Sequence, residues 1–313
     1  MGKNEAVLRH RGQQAGTSTR QSIVAGRFGR AEILFGRLTG ALLRGFLVAL
    51  LIATPALMLP DAAVDTSQIT ILAALLCGFL TFAEYNARSP SIVEFRDAPP
   101  FNRLRFISLC ITVFLLSVIM RGQSDPTAFS GAMTSIGTII GNAIDFPFSP
   151  VRLVVLMLPD DASLQTVNSV RTASGLAYLI SLVAMAAFLV LVRVFNWPAR
   201  QGAFNVWINL PMFDPTAGGD VITRLQRDAR INIVVGFLLP FAIPALVKLA
   251  ADLIDPLSLN HPQTMIWTMT AWAFLPASMI MRGIAVSKVA DMIEEKRRRA
   301  YADAQAEDGL QTA

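Results

Sequence analysis

Uncharged, largely apolar runs alternate with charged segments along the chain, at 45–60, 66–83, 106–120, 172–192, 231–247 and 256–281. A helix crossing the hydrocarbon of a bilayer needs about 20 predominantly apolar residues, with a range of about 17–25. The first and third runs are short, at 16 and 15 residues. Arg44, Arg105 and Arg121 flank them and can snorkel their guanidinium groups to the headgroups. The pattern predicts an all-α, polytopic transmembrane bundle of six spans, at about 45–60, 66–83, 106–120, 172–192, 231–247 and 262–281.

One further segment, 126–144, carries no charge but holds Thr127, Ser130, Thr134, Ser135, Thr138 and Asn142. Its apolar residues Phe129, Ala132, Met133, Ile136, Ile140, Ala143 and Ile144 recur at spacings of three and four. That is the pattern of an amphipathic helix on the outer surface. A re-entrant hairpin completed by 146–158 is the rival, although that half holds Arg152 and is broken by Pro147 and Pro150. Gly137 and Gly141 form a small-residue pair suited to a close helix contact.

Composition agrees with a membrane solvent: 53% of the 313 residues are hydrophobic and only 16% charged, against about 25% charged in soluble domains. The mean hydropathy is +0.51. The chain is basic, with 27 Lys plus Arg against 22 Asp plus Glu. In a soluble chain such an excess suggests nucleic acid; here it follows the membrane flanks. Residues 1–44 carry eight bases, 84–105 four, 193–230 five and the tail from Arg282 six, whereas the 121–171 segment carries three. Lys248 lies within a span. The positive-inside rule then places both termini in the cytoplasm, and a bacterial inner membrane is the expected location.

The organisation that follows is an Arg-rich cytoplasmic segment over 1–44, a membrane domain over 45–287 with an outer insertion at 121–171, and a basic tail over 288–313. Arg30, Arg37 and Arg44 recur every seven residues among Phe28, Ile33, Leu34, Phe35 and Leu38, predicting an interfacial helix that leads into the first span. The start reads neither as a signal peptide nor as a myristoylation site, since Ala6 stands where Ser or Thr is required. Residues 288–306 predict a polar helix bearing Lys296, Arg297, Arg298 and Arg299, and the last residues read as disordered. Cys77 and Cys110 both fall in apolar runs and behave as small hydrophobes.

Two cytoplasmic segments resemble each other. The first reads Phe95, Arg96, Asp97, Ala98, Pro99, Pro100, Phe101, Asn102; the second reads Trp207, Ile208, Asn209, Leu210, Pro211, Met212, Phe213, Asp214. In each, an Ala-Arg pair ending at Arg88 or Arg200 precedes the Phe by 13 residues. A fainter copy over 19–38 precedes the first span. The spans echo this, Gly45-Phe46-Leu47 with Pro55-Ala56-Leu57 matching Gly236-Phe237-Leu238 with Pro244-Ala245-Leu246. The six spans therefore read as three related parallel hairpins, each introduced by a cytoplasmic segment. Mitochondrial carriers share a three-hairpin plan, but their Pro, any, acid, any, any, base motif is absent and that family is excluded.

Candidate chemistry is sparse. Glu84 ends the second span and Lys248 nears the end of the fifth, with Asp252 as its expected partner. Both read first as interfacial anchors. His10 and His261 fall in a tail and a loop and do not read as a paired metal site, and Asp160-Asp161 reads as a helix cap. No phosphate loop or nucleophile elbow occurs, so no enzyme activity, cofactor or metal is expected.

Two sets of residues carry the functional expectation. Arg88, Phe95, Asp97, Pro99, Phe101, Arg200, Trp207, Asn209, Pro211 and Phe213 are candidate contacts to a partner or to lipid. Pro240, Pro244, Lys248, Trp267, Trp272 and Pro276 are the candidate lining of a path for a neutral or weakly polar solute. The first set makes the chain an accessory, scaffold or assembly subunit that contacts a membrane complex and anionic headgroups, with no nucleic acid. The second makes it a transporter or channel.

Overall fold

A computed structural model describes residues 36–59, 64–198, 204–214, 216, 218–250, 259 and 261–311. The fold is all-helical, with no strand among the described residues. In chain order the helices are α1 (Gly36–Met58), α2 (Val64–Asn86), α3 (Phe101–Ser124), α4 (Ala128–Ile144), α5 (Pro150–Leu156), α6 (Leu164–Arg193), α7 (Val206–Asn209), α8 (Val221–Ala250) and α9 (Pro262–Gln311). Six of them, α1, α2, α3, α6, α8 and α9, are long and apolar enough to cross a membrane. The expected interfacial helix over 28–38 and the faint repeat copy over 19–38 lie almost wholly outside the described residues.

The helices outrun the apolar runs that announce them. α1 is already helical at Gly36, nine residues before its run, and α3 extends from Phe101 to Ser124. Apolar surroundings offer backbone groups no solvent partner, so the helical ladder continues through the polar flanks until a cap or turn can take over. Thr127 and Ser130 form such a cap at α4, each side chain accepting the other's backbone N–H. Ser149 and Ser163 cap α5 and α6 by accepting the N–H of Arg152 and Thr166. The cap of α6 is thus Ser163; Asp160 instead faces Lys248, whose ammonium donates to the Leu158 carbonyl at 3.3 Å. Asp252, the partner expected for Lys248, lies outside the described residues.

α9 is the central strut: most of its apolar portion is buried, whereas that of α2 is mostly exposed. It packs on α3, α6 and α8. Its basic stretch forms no separate tail helix but continues the same helix to Gln311, where irregular chain was expected; Ala, Glu, Gln and Arg residues there all favour helix. At the base of this extension Arg297 donates to Asp220, which also accepts the Thr223 N–H at the start of α8. Bonding to the Arg297 guanidinium, and then to Thr223, holds the Asp220 carboxyl below the usual aspartate range.

Two hydrophobic cores stack along the bundle. One unites Val113, Leu116, Val151, Val170, Ile266 and Met269; the other, at the end where α3 and α8 begin and α6 finishes, unites Phe95, Phe101, Phe188, Trp197, Leu225 and Val286. Close crossings hold the helices together. A Cβ at Gly45 would lie 2.6 Å from the Gly78 carbonyl oxygen, one at Gly236 would lie 2.8 Å from that of Pro276, and one at Gly175 would lie 2.5 Å from Gly141 Cα. The Gly137 and Gly141 pair singled out in the sequence is therefore a contact site, meeting α6 at Thr172 and Gly175. The 126–158 segment folds as α4, a turn and the seven-residue α5, whose Pro150, Val151 and Val154 are buried.

Asp145, in that turn, is 5% exposed and paired with Arg152 at 2.8 Å and Arg171 at 2.7 Å, tying the segment to α6. On α4 the apolar Met133, Ile140 and Ile144 pack on the core, while Phe129, Ile136 and Ile139 face outward.

Two outcomes test this packing. Gly175→Ala should lower stability by about 1–3 kcal/mol through overpacking, whereas Gly131→Ala, with nothing within 4 Å of its Cβ, should be neutral or mildly stabilising; thermal unfolding in detergent compares them. A carboxyl held low supports the fold above the ordinary aspartate pKa of about 4 and loses that support as pH falls through and below it. Amides of residues 290–306 should therefore show a lower protection factor, measured against the intrinsic exchange rate at each pH, at low pH in the wild type and already at pH 7 in Asp220→Asn.

Candidate functional site

Where α2 ends, its last carbonyls have no helical donor and the negative end of its dipole is exposed. Two guanidinium groups meet that need. Arg96, whose side chain is only 8% exposed, donates from Nη1 to the carbonyls of Glu84 at 3.0 Å and Ala87 at 2.7 Å and from Nη2 to that of Arg88. Arg37, from the start of α1, donates from Nη2 to the carbonyls of Asn86 at 3.0 Å and Ala87 at 3.1 Å. Glu84 folds the outgoing chain back, its carboxylate accepting the backbone N–H groups of Ser91, Ile92 and Val93 and the Ser91 hydroxyl. The expected anchor is thus a clasp that shapes the loop.

The two repeated segments then meet. The Phe95 N–H donates to the Asn209 carbonyl at 2.7 Å, and the Asp97 N–H to Asn209 Oδ1 at 3.1 Å. The Trp197 indole donates to the carbonyls of Ala98 and Pro99 at 3.3 and 3.1 Å. Phe95 and Phe101 lie 4.7 Å apart by ring centroid, and Phe188 and Trp197 5.3 Å apart, in one aromatic cluster. Phe95 is held at φ 52, in the left-handed region that a bulky residue adopts only where its surroundings over-determine it. Complete burial and the bond to Asn209 provide that determination.

The copies resemble each other in sequence yet play different parts. Phe95 is fully buried while its counterpart Trp207 is 62% exposed; Asn209 is buried at the joint while Asp97 faces outward. Pro99 and Pro211 sit in the turns, and Phe213 lies under the Arg224 guanidinium at 4.8 Å. Arg88 is exposed, and Arg200 lies outside the described residues.

An ion triad locks this assembly to the bundle. Arg282 of α9 makes a two-pronged contact with Glu94, Nε to Oε2 at 2.6 Å and Nη2 to Oε1 at 2.8 Å, and reaches Asp228 of α8 at 2.9 Å. Arg105 lies beside it, over the rings of Phe101 and Phe274, with a buried Nε that has no hydrogen-bond partner among the described residues. Beyond the loops a cavity of about 590 Å³ opens, lined by Gly36, Arg37, Ala41 and Arg44 of α1, Tyr85 of α2, Arg88, Arg96 and Asp97 of the first loop and Ile208 of α7.

Sequence reasoning found Arg88, Asp97 and the loops but missed Arg37, Arg44, Tyr85 and Arg96 as cavity lining, and the Glu94–Arg282–Asp228 triad. The seven-residue spacing of Arg37 and Arg44 was the available signal, since it sets both on one helix face.

The second candidate set is packed differently. Pro244 has no N–H to give the Pro240 carbonyl four residues earlier, and the buried Trp272 indole donates to that carbonyl at 3.1 Å. Pro240 and Pro244 are buried within an unbroken α8, and Pro276 lies inside α9, whose backbone approaches α8 at Gly236. Trp267 packs against the first core, and Lys248 serves the Leu158 carbonyl. Among the described residues no three His, Cys, Asp or Glu side chains are gathered so as to hold a metal ion.

Comparison with models of known protein families, with curated proteins and with solved structures found no match to this chain.

Removing one member of the triad leaves a half-buried charge without its counterion. Arg282→Gln should cost about 2–3 kcal/mol, below the 3–5 kcal/mol of a fully buried pair. In a double-mutant cycle, Glu94→Gln with Arg282→Gln should cost less than the sum of the single changes; unfolding in detergent reads both.

Proposed function

We propose that the chain is an accessory, scaffold or assembly subunit of a membrane complex, set in a bacterial inner membrane with its arginine-rich end and both termini in the cytoplasm. The observation that carries this reading is the interlocking of two loops more than a hundred residues apart in sequence into one braced surface, through Asn209, Trp197 and the Arg282 triad. Fixing a loop pair this firmly in advance lowers the entropic cost of docking. Its outward side chains suit protein contact: Trp207 is 62% and Met212 76% exposed on the second loop.

Orientation rests on the basic residues clustered at this end. Reading the spans as three parallel hairpins is supported by the packing of α1 on α2 at Gly45 and Gly78, of α3 on α6 and of α8 on α9. This arrangement puts α4 at the outer interface, with Phe129, Ile136 and Ile139 toward lipid.

Full-length protein tagged at its own locus and extracted in mild detergent should retain a membrane complex in fixed proportion, as read by mass spectrometry and native gels. Trp207→Ala with Met212→Ala should lose it while the thermal stability of the variant stays within about 0.5 kcal/mol of wild type, as for exposed side chains generally. Wild-type protein that purifies as a lone monomer, from cells whose membrane complexes survive its deletion, overturns the reading.

A further inference from the structure

The cavity between α1, the end of α2 and the first loop gathers four guanidinium groups, from Arg37, Arg44, Arg88 and Arg96, against one carboxylate, Asp97. The neighbouring acids are engaged elsewhere: Glu84 by the Ser91–Val93 backbone and Glu94 by Arg282. Asp97 is itself 3.1 Å from Arg96. The lining therefore carries a net charge of three positive units, assembled from separate elements, with three of its four guanidinium groups held in place before any ligand arrives. Arg96 and Arg37 are braced on the α2 carbonyls, and Arg44 lies 4.8 Å from the Tyr85 ring centroid while donating to the Gly40 carbonyl. Arg88 has no carboxylate partner among the described residues. Residues 1–35 are themselves basic in sequence, with six Lys or Arg against Glu5 and Glu32.

Guanidinium forks match phosphate oxygens two at a time. At about 590 Å³ the cavity exceeds a single phosphate and falls in the range of small-molecule sites. Its surroundings select among phosphate compounds. It opens at the ends of two helices long and apolar enough to span a membrane, whose outer faces carry the exposed Leu42, Leu43 and Phe46 on α1 and Phe79 and Leu80 on α2. A ligand with phosphates in the cavity and hydrocarbon in the adjoining membrane satisfies both surroundings.

We propose that this cavity binds the headgroup of an anionic membrane lipid carrying two phosphates, one lipid per chain. Binding does not depend on whether the braced loops also dock a protein.

Native mass spectrometry of delipidated full-length protein tests it, with cardiolipin, phosphatidylglycerol and phosphatidylcholine as lipids and pyrophosphate and glycerol phosphate as free anions. One cardiolipin should be retained, about tenfold tighter than phosphatidylglycerol and tighter still than phosphatidylcholine. Arg44→Gln with Arg88→Gln should weaken it about tenfold or more, while Arg193→Gln, an exposed base at the same end outside the cavity, should leave it unchanged. Asp97→Asn should tighten binding, a direction that misfolding does not produce. Equal retention of all three lipids, an equal loss in Arg193→Gln, an unchanged double variant, weaker binding in Asp97→Asn, or free pyrophosphate binding as tightly as the lipid each overturns the proposal. Partner loss on changing Trp207 and Met212 is read separately, so failure of one idea does not register as failure of the other.

Discussion

A carbonyl oxygen without a donor costs several kcal/mol in apolar surroundings, and this constraint decides where many of the chain's distinctive side chains go. The Trp272 indole turns to the Pro240 carbonyl because Pro244 cannot serve it. The Trp197 indole serves Ala98 and Pro99, where the first loop turns into α3. Arg96 and Arg37 close the end of α2, and Arg152 donates to the Asp145 carbonyl after α4. Each contact joins two parts of the chain, so satisfying the backbone also determines which elements are neighbours.

Electrostatics follows from that division of labour. The arginines at the basic end fall into groups with different surroundings. Arg282 is held between Glu94 and Asp228, and Arg105 lies over aromatic rings, so both are absorbed into the bundle. Arg37 and Arg96 are fixed by neutral carbonyls, which hold a cation in place without cancelling its charge. Positive potential therefore persists where the helices end, in a region of reduced dielectric where a charge acts more strongly than in water. The same sequence composition, with each arginine opposite a carboxylate, would produce a neutral surface.

The spans were legible in the sequence because continuous apolar runs have one physical explanation. The helix ends were not: Gly36–Arg44 and Phe101–Arg105 are stretches interrupted by arginines that stay helical for the sake of their carbonyls. Within the loops the pattern located Phe95, Asn209 and their neighbours but implied equivalence. The structure instead uses Asn209 as a buried joint and Asp97 as a surface carboxylate, a difference that arises from what each segment packs against. Glu94, Asp228 and Arg282 gave no local signal, because a salt bridge across 188 residues leaves no periodicity behind. Trp272 read as lining for a path because sequence alone does not tell which carbonyl a proline has freed.

The distance along the chain between Glu94 and Arg282 bears on biogenesis. At a synthesis rate of about 5–20 residues per second, the partner of Glu94, 188 residues downstream, emerges about 10–40 s later. During that interval the first loop already has its Glu84 clasp and its Arg96 brace, both local; Trp197 and Asn209 join it about halfway through, and Arg282 comes last. A nascent chain arrested before α9 therefore presents the Glu94 carboxylate without Arg282 and an aromatic cluster not yet covered by Met281, Val286 and Val289, a chemical mark that distinguishes an unfinished molecule from a finished one.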